Sequence, residues 1–208
     1  LEAMTPYFST LYGNPSSIHG VGRKAGVALE NARRAIAGVI GAKPGEIIFT
    51  GCGSESDNAA LRGLALARRQ ATGANRIITT SIEHNAMWRP LMALERRGVS
   101  VTTVPSAPDG TLDPADVKAG FRPNTRLVAM LHGSNVLGTV LPIAEVGRIA
   151  HRHGVPVLVD AAQTAGAYPI DMEAMHVDLL AFAGHKGLYG PHGTGGLVVR
   201  PGVALESW

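Results

Sequence analysis

A single lysine follows an apolar, strand-like run in the stretch AFAGHKGLYGPHGTGG, which covers residues 181–196. Lys186 is the only lysine between Lys118 and the end of the chain. An amine at the end of a strand is able to form a Schiff base with an aldehyde. A solvated surface lysine is the alternative, so the polar residues at other strand ends must decide between the two.

An acid ends a second apolar run, in PVLVDAAQ at residues 156–163. The Asp160 carboxylate needs a partner to offset its desolvation at the end of a buried strand. A protonated ring nitrogen of a ligand is one such partner. Backbone donors at the start of a helix are the alternative.

A glycine-containing turn lies between a strand and a helix start in FTGCGSESDN, residues 49–58. Such a turn presents unpaired backbone N–H groups and the positive end of a helix dipole, which suit a phosphate, and Ser54 adds a hydroxyl donor. The alternative is a plain helix cap, with Ser54 capping toward Asp57. A dinucleotide fingerprint is disfavoured because Ser56 stands where G-x-G-x-x-G requires its third glycine.

An amine for an aldehyde, an acid for a ring nitrogen and a cradle for a phosphate together match pyridoxal phosphate, which carries all three groups. His84 suits stacking on the ring and proton transfer, although a lone histidine is more often structural. His151 and His153 are two positions apart on a helix, so we interpret them as solvated surface residues and expect no metal site.

Apolar runs alternate with segments of helical periodicity along the whole chain, which predicts an α/β fold in which a mostly parallel sheet is covered by helices on both faces. Ligands bind beyond the carboxyl ends of strands in such sheets. The polar residues expected at those ends include Glu83 and His84, Ser134 and Asn135, Asp160 and Gln163, and His185 and Lys186. Predicted strands cover residues 46–50, 76–80, 100–104, 126–132, 155–160, 178–183 and 195–200, and predicted helices cover 21–40, 57–70, 87–97, 114–121 and 143–153.

Composition favours one globular domain over residues 1–208, since 45% of the residues are hydrophobic and 17% are charged. The net charge is +3 and no basic stripe is interleaved with aromatics, which argues against nucleic acid as a partner. One cysteine excludes an intrachain disulfide and fits a reducing compartment. No apolar run is long enough to cross a membrane, so we expect a cytoplasmic protein. Both ends look truncated.

Six motifs, in order, resemble the class V aminotransferase family of fold-type I pyridoxal phosphate enzymes, and most closely its cysteine desulfurases. They are YGNPSSIH, EIIFTGCGSESDN, SIEHNA, SNVLGTVLPI, VLVDAAQTAG and AGHKGLYGPHGTGG. The resemblance implies that the chain is the large, cofactor-binding domain, and that a small C-terminal domain with the nucleophilic cysteine and a substrate-binding arginine is missing.

Position by position, the resemblance implies that Lys186 binds pyridoxal phosphate as a Schiff base and moves the substrate α-proton. Asp160 would pair with the ring nitrogen and Gln163 with the ring hydroxyl, while His84 stacks on the ring. Asn135 would place the substrate carboxylate or the ring hydroxyl. The phosphate would be held by Ser54, the backbone of Gly53 and His185.

The chain also departs from the family pattern. Ala183 stands where many members have a serine, which removes a phosphate donor, and Cys52-Gly53 replaces the more usual Gly-Ala. The GHKGLYGP stretch is one residue longer than the form GHKIYGP. Cys52 is expected to be a structural thiol rather than the sulfur-carrying nucleophile, because a phosphate bound at the same helix end opposes a thiolate.

The expected activity is that of a cysteine desulfurase, which takes sulfur from L-cysteine, leaves L-alanine and passes the sulfur to an acceptor protein, as in iron–sulfur cluster assembly. The resemblance further implies a homodimer. The alternatives are a selenocysteine lyase or another class V aminotransferase or lyase, or a noncatalytic chain that binds pyridoxal phosphate without turnover.

Overall fold

The described part of the chain holds seven strands and six α-helices, and strands and helices alternate between residues 47 and 160. A computed structural model describes residues 1–206, with the side chains of residues 1–67 and 73–206. A short 3-10 turn, Pro44–Glu46, precedes the first strand. The elements are α1 (Thr5–Ser9), α2 (Gly20–Ile40), β1 (Ile47–Thr50), α3 (Gly53–Thr72), β2 (Arg76–Thr80), α4 (Asn85–Glu95), β3 (Ser100–Val104), α5 (Pro114–Ala119), β4 (Thr125–Leu131), α6 (Ile143–Arg152), β5 (Val157–Asp160), β6 (Leu179–Ala183) and β7 (Gly195–Val199).

The strands form one sheet in the order β1-β7-β6-β5-β4-β2-β3. Strands β2 to β6 pair in parallel, and β7 lies antiparallel to both of its neighbours, β1 and β6. The prediction of a mostly parallel sheet is confirmed. The reversed strand arises because β6 and β7 are joined by a glycine-rich connection of eleven residues without a helix, and a parallel pair would need a longer crossover.

Apolar side chains leave the central strands on both faces, since alternate residues of a strand point to opposite sides of the sheet. Every residue of β4, β5 and β6 is buried. On one side Val128 and Met130 pack with residues of α2, α5 and α6. On the other side Leu127 and Ala129 pack with residues of α3 and α4. The near-continuous apolar runs in the sequence are therefore central strands covered on two faces.

The predicted boundaries agree with the observed strands to within two residues, and the helices differ most at their starts. Helix α3 begins at Gly53, four residues before the predicted start, so Ser54 lies within the first turn. The interpretation of Ser54 as the helix cap is therefore wrong. Helix α1 and the 3-10 turn were not predicted. Within the described residues, no helix has both the length and the apolar character needed to span a bilayer.

Candidate active site

A cavity of about 160 Å³ opens at the carboxyl end of the parallel strands, beside the first turns of α3 and α4. The structure brings together at this cavity every residue that the sequence singled out for cofactor binding or catalysis. The strand-end argument explains why, because parallel strands deliver their following residues to one edge. The lining includes Gly53, Ser54, His84, Asn135, Asp160, Gln163, His185 and Lys186.

Asp160 ends β5, and only 5% of its surface is exposed. Its Oδ1 accepts the N–H of Ala162 at 2.8 Å, so the expected backbone donor is present. Burial raises the pKa of the Asp160 carboxyl, while the Ala162 hydrogen bond and the charges of His84 and Lys186 lower it. A cationic group placed in the cavity would stabilise the ionised form further.

The turn between β1 and α3 is held by its own side chains. Glu55 Oε2 accepts the N–H of Gly51 at 2.7 Å, and the hydroxyls of Thr50 and Ser56 are 2.8 Å apart. A Cβ atom on Gly195 of β7 would be 2.5 Å from the backbone carbon of Cys52, so β7 packs directly against the turn. The first amides of α3 are thereby fixed at the cavity wall.

The segment after β6 turns sharply around Lys186. The N–H of Tyr189 donates to the Lys186 carbonyl at 2.9 Å, and the N–H of Gly190 donates to the Gly184 carbonyl at 2.7 Å. A Cβ atom on Gly187 would be 2.5 Å from the Ala165 carbonyl oxygen. The longer GHKGLYGP stretch therefore fits because a glycine lets it lie against the segment that follows Asp160.

His185 lies beside the lysine and stacks on His192, with ring centroids 4.8 Å apart. Its Nδ1 is buried and has no hydrogen-bond partner among the described residues. A buried polar atom without a partner is costly. Nδ1 is therefore placed to form a hydrogen bond with a ligand, as donor or as acceptor. His192 was not singled out from the sequence.

His84 is the N-cap of α4, because its Nδ1 accepts the N–H of Ala86 at 3.1 Å. In the neutral ring the proton therefore resides on Nε2. The side chain is exposed at the cavity, which leaves its ring face and Nε2 free for a ligand. His84 can therefore cap helix α4 and still offer its ring to a ligand.

Asn135 and Gln163 are exposed at the rim of the cavity. The turn that carries Asn135 is closed by Ser134, whose Oγ accepts the N–H of Leu137 at 3.1 Å. Behind Gln163, the buried His132 Nδ1 lies 2.9 Å from Thr164 Oγ1. Burial lowers the pKa of the His132 imidazole, which favours the neutral ring.

Two further acids lie at the site and were not assigned a role from the sequence. Asp57 on α3 lines the cavity, and Glu83 precedes His84. Burial raises the pKa of Asp57 well above its usual range, and it raises that of Glu83 to about 8. Asp57 follows the spacing of Ala60, Leu61 and Leu64 on the buried face of α3, so an acid on an apolar stripe was the available signal.

His151 on α6 and His153, its C-cap, are exposed, as expected for surface residues. His151 Nε2 lies 2.9 Å from Asp178 Oδ2, and the ring of His153 stacks on Phe121 with centroids 4.4 Å apart. Both rings thus have packing or ionic partners. Among the described residues, no group of three or more His, Cys, Asp or Glu is placed to hold a metal ion.

Comparisons with known proteins identify the family and its relatives. The family described as Aminotransferase class-V matches residues 1–208. Cysteine desulfurase IscS of Dictyoglomus turgidum is 42% identical over 205 residues, which cover 99% of this chain and 51% of that protein. Putative cysteine desulfurase IscS 1 of Bacillus subtilis is 43% identical over 206 residues, 99% of this chain and 54% of that protein. The chain thus spans about half the length of the curated relatives it matches.

Solved structures of other proteins also share this fold. A NifS-like protein superposes with a TM-score of 0.93 at 35% identity, covering 99% of this chain and 56% of that one. SspA in complex with cysteine superposes with a TM-score of 0.91 at 40% identity, covering 96% of this chain and 57% of that one. With a match over its full length, the chain belongs to the class-V aminotransferase family.

Proposed function

We propose that this chain is the cofactor-binding domain of a pyridoxal phosphate-dependent cysteine desulfurase, which takes sulfur from L-cysteine and leaves L-alanine. The observation that carries the proposal is that Lys186, Asp160 and the β1–α3 turn line one cavity. Curated relatives named cysteine desulfurase, and an SspA structure solved with cysteine, support the choice of substrate.

The cavity residues fit the proposed cofactor on three counts. The buried Nδ1 of His185 lacks a partner among the described residues, which suits a phosphate oxygen. The first turn of α3 presents backbone amides beside Ser54. Asp160 is a buried acid whose charged form needs a cation. Bound pyridoxal phosphate supplies an aldehyde and an electron-withdrawing ring.

Each side chain has a definite task in the proposed site. Lys186 would hold the cofactor through its aldehyde, and its Nζ would move the proton at the substrate Cα. Asp160 would pair with the protonated ring nitrogen, and Gln163 would donate to the ring hydroxyl. Asn135 orients the substrate carboxylate. The His84 ring, whose Nδ1 accepts the N–H of Ala86, would cover the cofactor ring.

The phosphate is held by Ser54, the Gly53 amide and His185 in this proposal. Ala183 lines the same cavity, and a Cβ atom on Gly53 would be 3.6 Å from its methyl group. The serine hydroxyl of many family members is absent at this position, so the α3 amides and His185 carry more of the phosphate charge.

A homodimer, a sulfur-acceptor protein and a cytoplasmic location complete the proposal. The assembly is supported by α2, whose buried residues over 21 positions are Gly22, Ala37 and Ile40, while Val21 and Val27 are exposed. Exposed apolar side chains along one helix are typical of a surface that another polypeptide covers.

Borohydride trapping tests the cofactor role. The chain is incubated with pyridoxal phosphate, reduced and digested, and the modified peptide is identified by mass spectrometry. We expect the label on Lys186 and its loss in Lys186→Arg. Lys118, on the short helix α5, serves as an internal surface control. Labelling spread over surface lysines of a folded chain would contradict the assignment.

Substrate identity needs a separate measurement on the full-length protein. With a dithiol reductant in the assay, which supplies the two electrons that convert the transferred sulfur to sulfide, release of alanine and sulfide from L-cysteine is the expected result. A protein labelled at Lys186 that releases selenide from selenocysteine but no sulfide from cysteine is instead a selenocysteine lyase. A labelled protein that turns over neither amino acid binds the cofactor for another reaction or without turnover.

A further inference from the structure

Three carboxyl groups lie close enough for their charges to interact, and we call them the acid cluster: Asp57 and Asp160, which line the cavity, and Glu83. They come from different elements, namely α3, the turn after β2, and the end of β5. Asp57 is 1% exposed and Asp160 is 5% exposed. Glu83 is half-buried as a residue, but its Oε2 is shut off from solvent. The acid cluster is therefore a set of buried, mutually repelling groups.

The three acids differ in their hydrogen-bond partners. Asp160 Oδ1 accepts a backbone N–H at 2.8 Å, and Glu83 Oε1 accepts the Thr80 hydroxyl at 2.6 Å. Asp57 Oδ1 is buried and has no partner among the described residues. Ionising a buried carboxyl without a donor is costly, whereas a protonated carboxyl is neutral. A negative charge is therefore better placed on Asp160 than on Asp57.

The charged groups that face Asp57 also favour placing the negative charge on Asp160 rather than on Asp57. Burial, the charges of Asp160 and Glu83, and to a smaller extent Cys52 raise the pKa of Asp57, and only Lys186 lowers it. For Asp160, by contrast, both His84 and Lys186 lower the pKa. Neighbouring buried carboxyls cannot all ionise, and Asp160 is the one beside which two charged side chains favour the ionised form.

We propose that Asp57 is a positioning residue that stays protonated in the folded chain, so that Asp160 alone carries the negative charge presented to the cofactor ring nitrogen. The part that concerns the ring nitrogen rests on the proposed function. The protonation of Asp57 is a property of the chain by itself. Asp57 acts through Asp160 in this arrangement, because its neutral carboxyl spares Asp160 a like charge.

Carbon-13 NMR of the cofactor-free chain, labelled at the aspartate side-chain carboxyls, tests the protonation directly. The chain has seven aspartates, so the spectrum is simple enough to titrate. We expect one carboxyl to remain protonated at neutral pH, and its resonance to vanish in Asp57→Asn. If all seven aspartates ionise in the ordinary acidic range, the proposal is overturned without any variant.

Should Asp57→Asn fail to fold, as judged by circular dichroism, Asp160→Asn makes the assignment. The resonance that is protonated at neutral pH persists in Asp160→Asn if it belongs to Asp57, because burial, the largest cause, is unchanged. Its disappearance in Asp160→Asn would place the proton on Asp160 and overturn the proposal.

Cofactor affinity of the same variants tests the division of charge. An amide is neutral like a protonated carboxyl, so Asp57→Asn should bind pyridoxal phosphate within about threefold of the wild type. Asp160→Asn loses the charged partner of the ring and should bind at least about tenfold more weakly. If Asp57→Asn weakens binding as much as Asp160→Asn, Asp57 carries the charge and the proposal fails.

Two controls separate this proposal from the proposed function and from a merely structural role. Asp57→Ala should bind the cofactor more weakly than Asp57→Asn, since only the amide restores the shape and polarity of the acid. Failure of the wild-type chain to bind pyridoxal phosphate would contradict the proposed function. In that case the NMR titration still decides whether Asp57 holds a proton.

Discussion

Replacing Glu83 with glutamine should remove a large part of the pH dependence of the free energy of unfolding between pH 4.5 and about 8. Burial raises the pKa of Glu83 from 4.5 to about 8, although the hydrogen bond from the Thr80 hydroxyl opposes the change. The residue is half-buried as a whole, but Oε2 is buried, and the carboxyl is the group that titrates. Glutamine keeps the acceptor for Thr80 and carries no charge.

The direction follows from proton binding in the two states. The folded chain retains a proton on Glu83 that the unfolded chain releases above pH 4.5, so the folded state loses stability as pH rises to about 8. The two pKa values differ by about 3.5 pH units, and at about 1.36 kcal/mol per unit this corresponds to about 5 kcal/mol. Hydration of the site reduces this figure, so about 2 to 5 kcal/mol is the expected range.

Urea unfolding followed by circular dichroism, repeated across this pH range, measures the effect. Glu83→Gln should gain stability over the wild type as pH rises, and Glu95→Gln, an exposed acid on α4, should follow the wild type. In Thr80→Val the loss of stability should extend to higher pH, because the Thr80 hydroxyl lowers the pKa of Glu83. Parallel curves for the wild type and Glu83→Gln would refute the reasoning.

Three other substitutions test the site and its supports. Ala183→Ser restores a hydroxyl at the cavity wall and should tighten pyridoxal phosphate binding by about 0.5–1.5 kcal/mol, or about two- to tenfold, measured by fluorescence titration; unchanged affinity would exclude a phosphate at this wall. Gly187→Ala should cost about 1–3 kcal/mol of unfolding free energy, because its methyl group would meet a carbonyl oxygen at 2.5 Å. Gly38→Ala, where no atom lies within 4 Å, is the control and should be neutral or stabilising. His84→Ala should lose about 0.5–2 kcal/mol through the α4 cap and His84→Asn should retain it, as thermal unfolding would show; equal losses would contradict a capping role.

Much of the site could be predicted because strand ends are visible in the sequence. Asp160 and Lys186 each follow a run of buried apolar residues, and the sheet brings those ends to one edge. Asp57 was not assigned a role from the sequence because it lies inside a helix, where an acid is normally solvated. Its position on the apolar stripe of α3 was the only signal, and an interior helix face is fixed by tertiary packing.

The direction of β7 also could not be predicted from alternating strands and helices. The connection from β6 reverses the chain over eleven residues, and the N–H of Gly184 at its start donates to the Thr194 carbonyl at its end, at 2.9 Å. A Cβ atom on Gly184 would collide with the Thr194 hydroxyl oxygen. A close backbone approach of this kind depends on three-dimensional contacts between residues ten positions apart, which periodicity does not reveal.

The position of β7 between β1 and β6 determines when the cavity is completed during synthesis. Strand β1 is made early on the ribosome, but its neighbour in the sheet is the last strand of the described chain. Until β7 emerges, the turn at Cys52 lacks the backbone of Gly195 against which it packs. Pairings between distant parts of a chain form slowly. Cofactor capture should therefore follow the emergence of β7, and nascent chains that expose the unpaired edge of β6 should depend on chaperones.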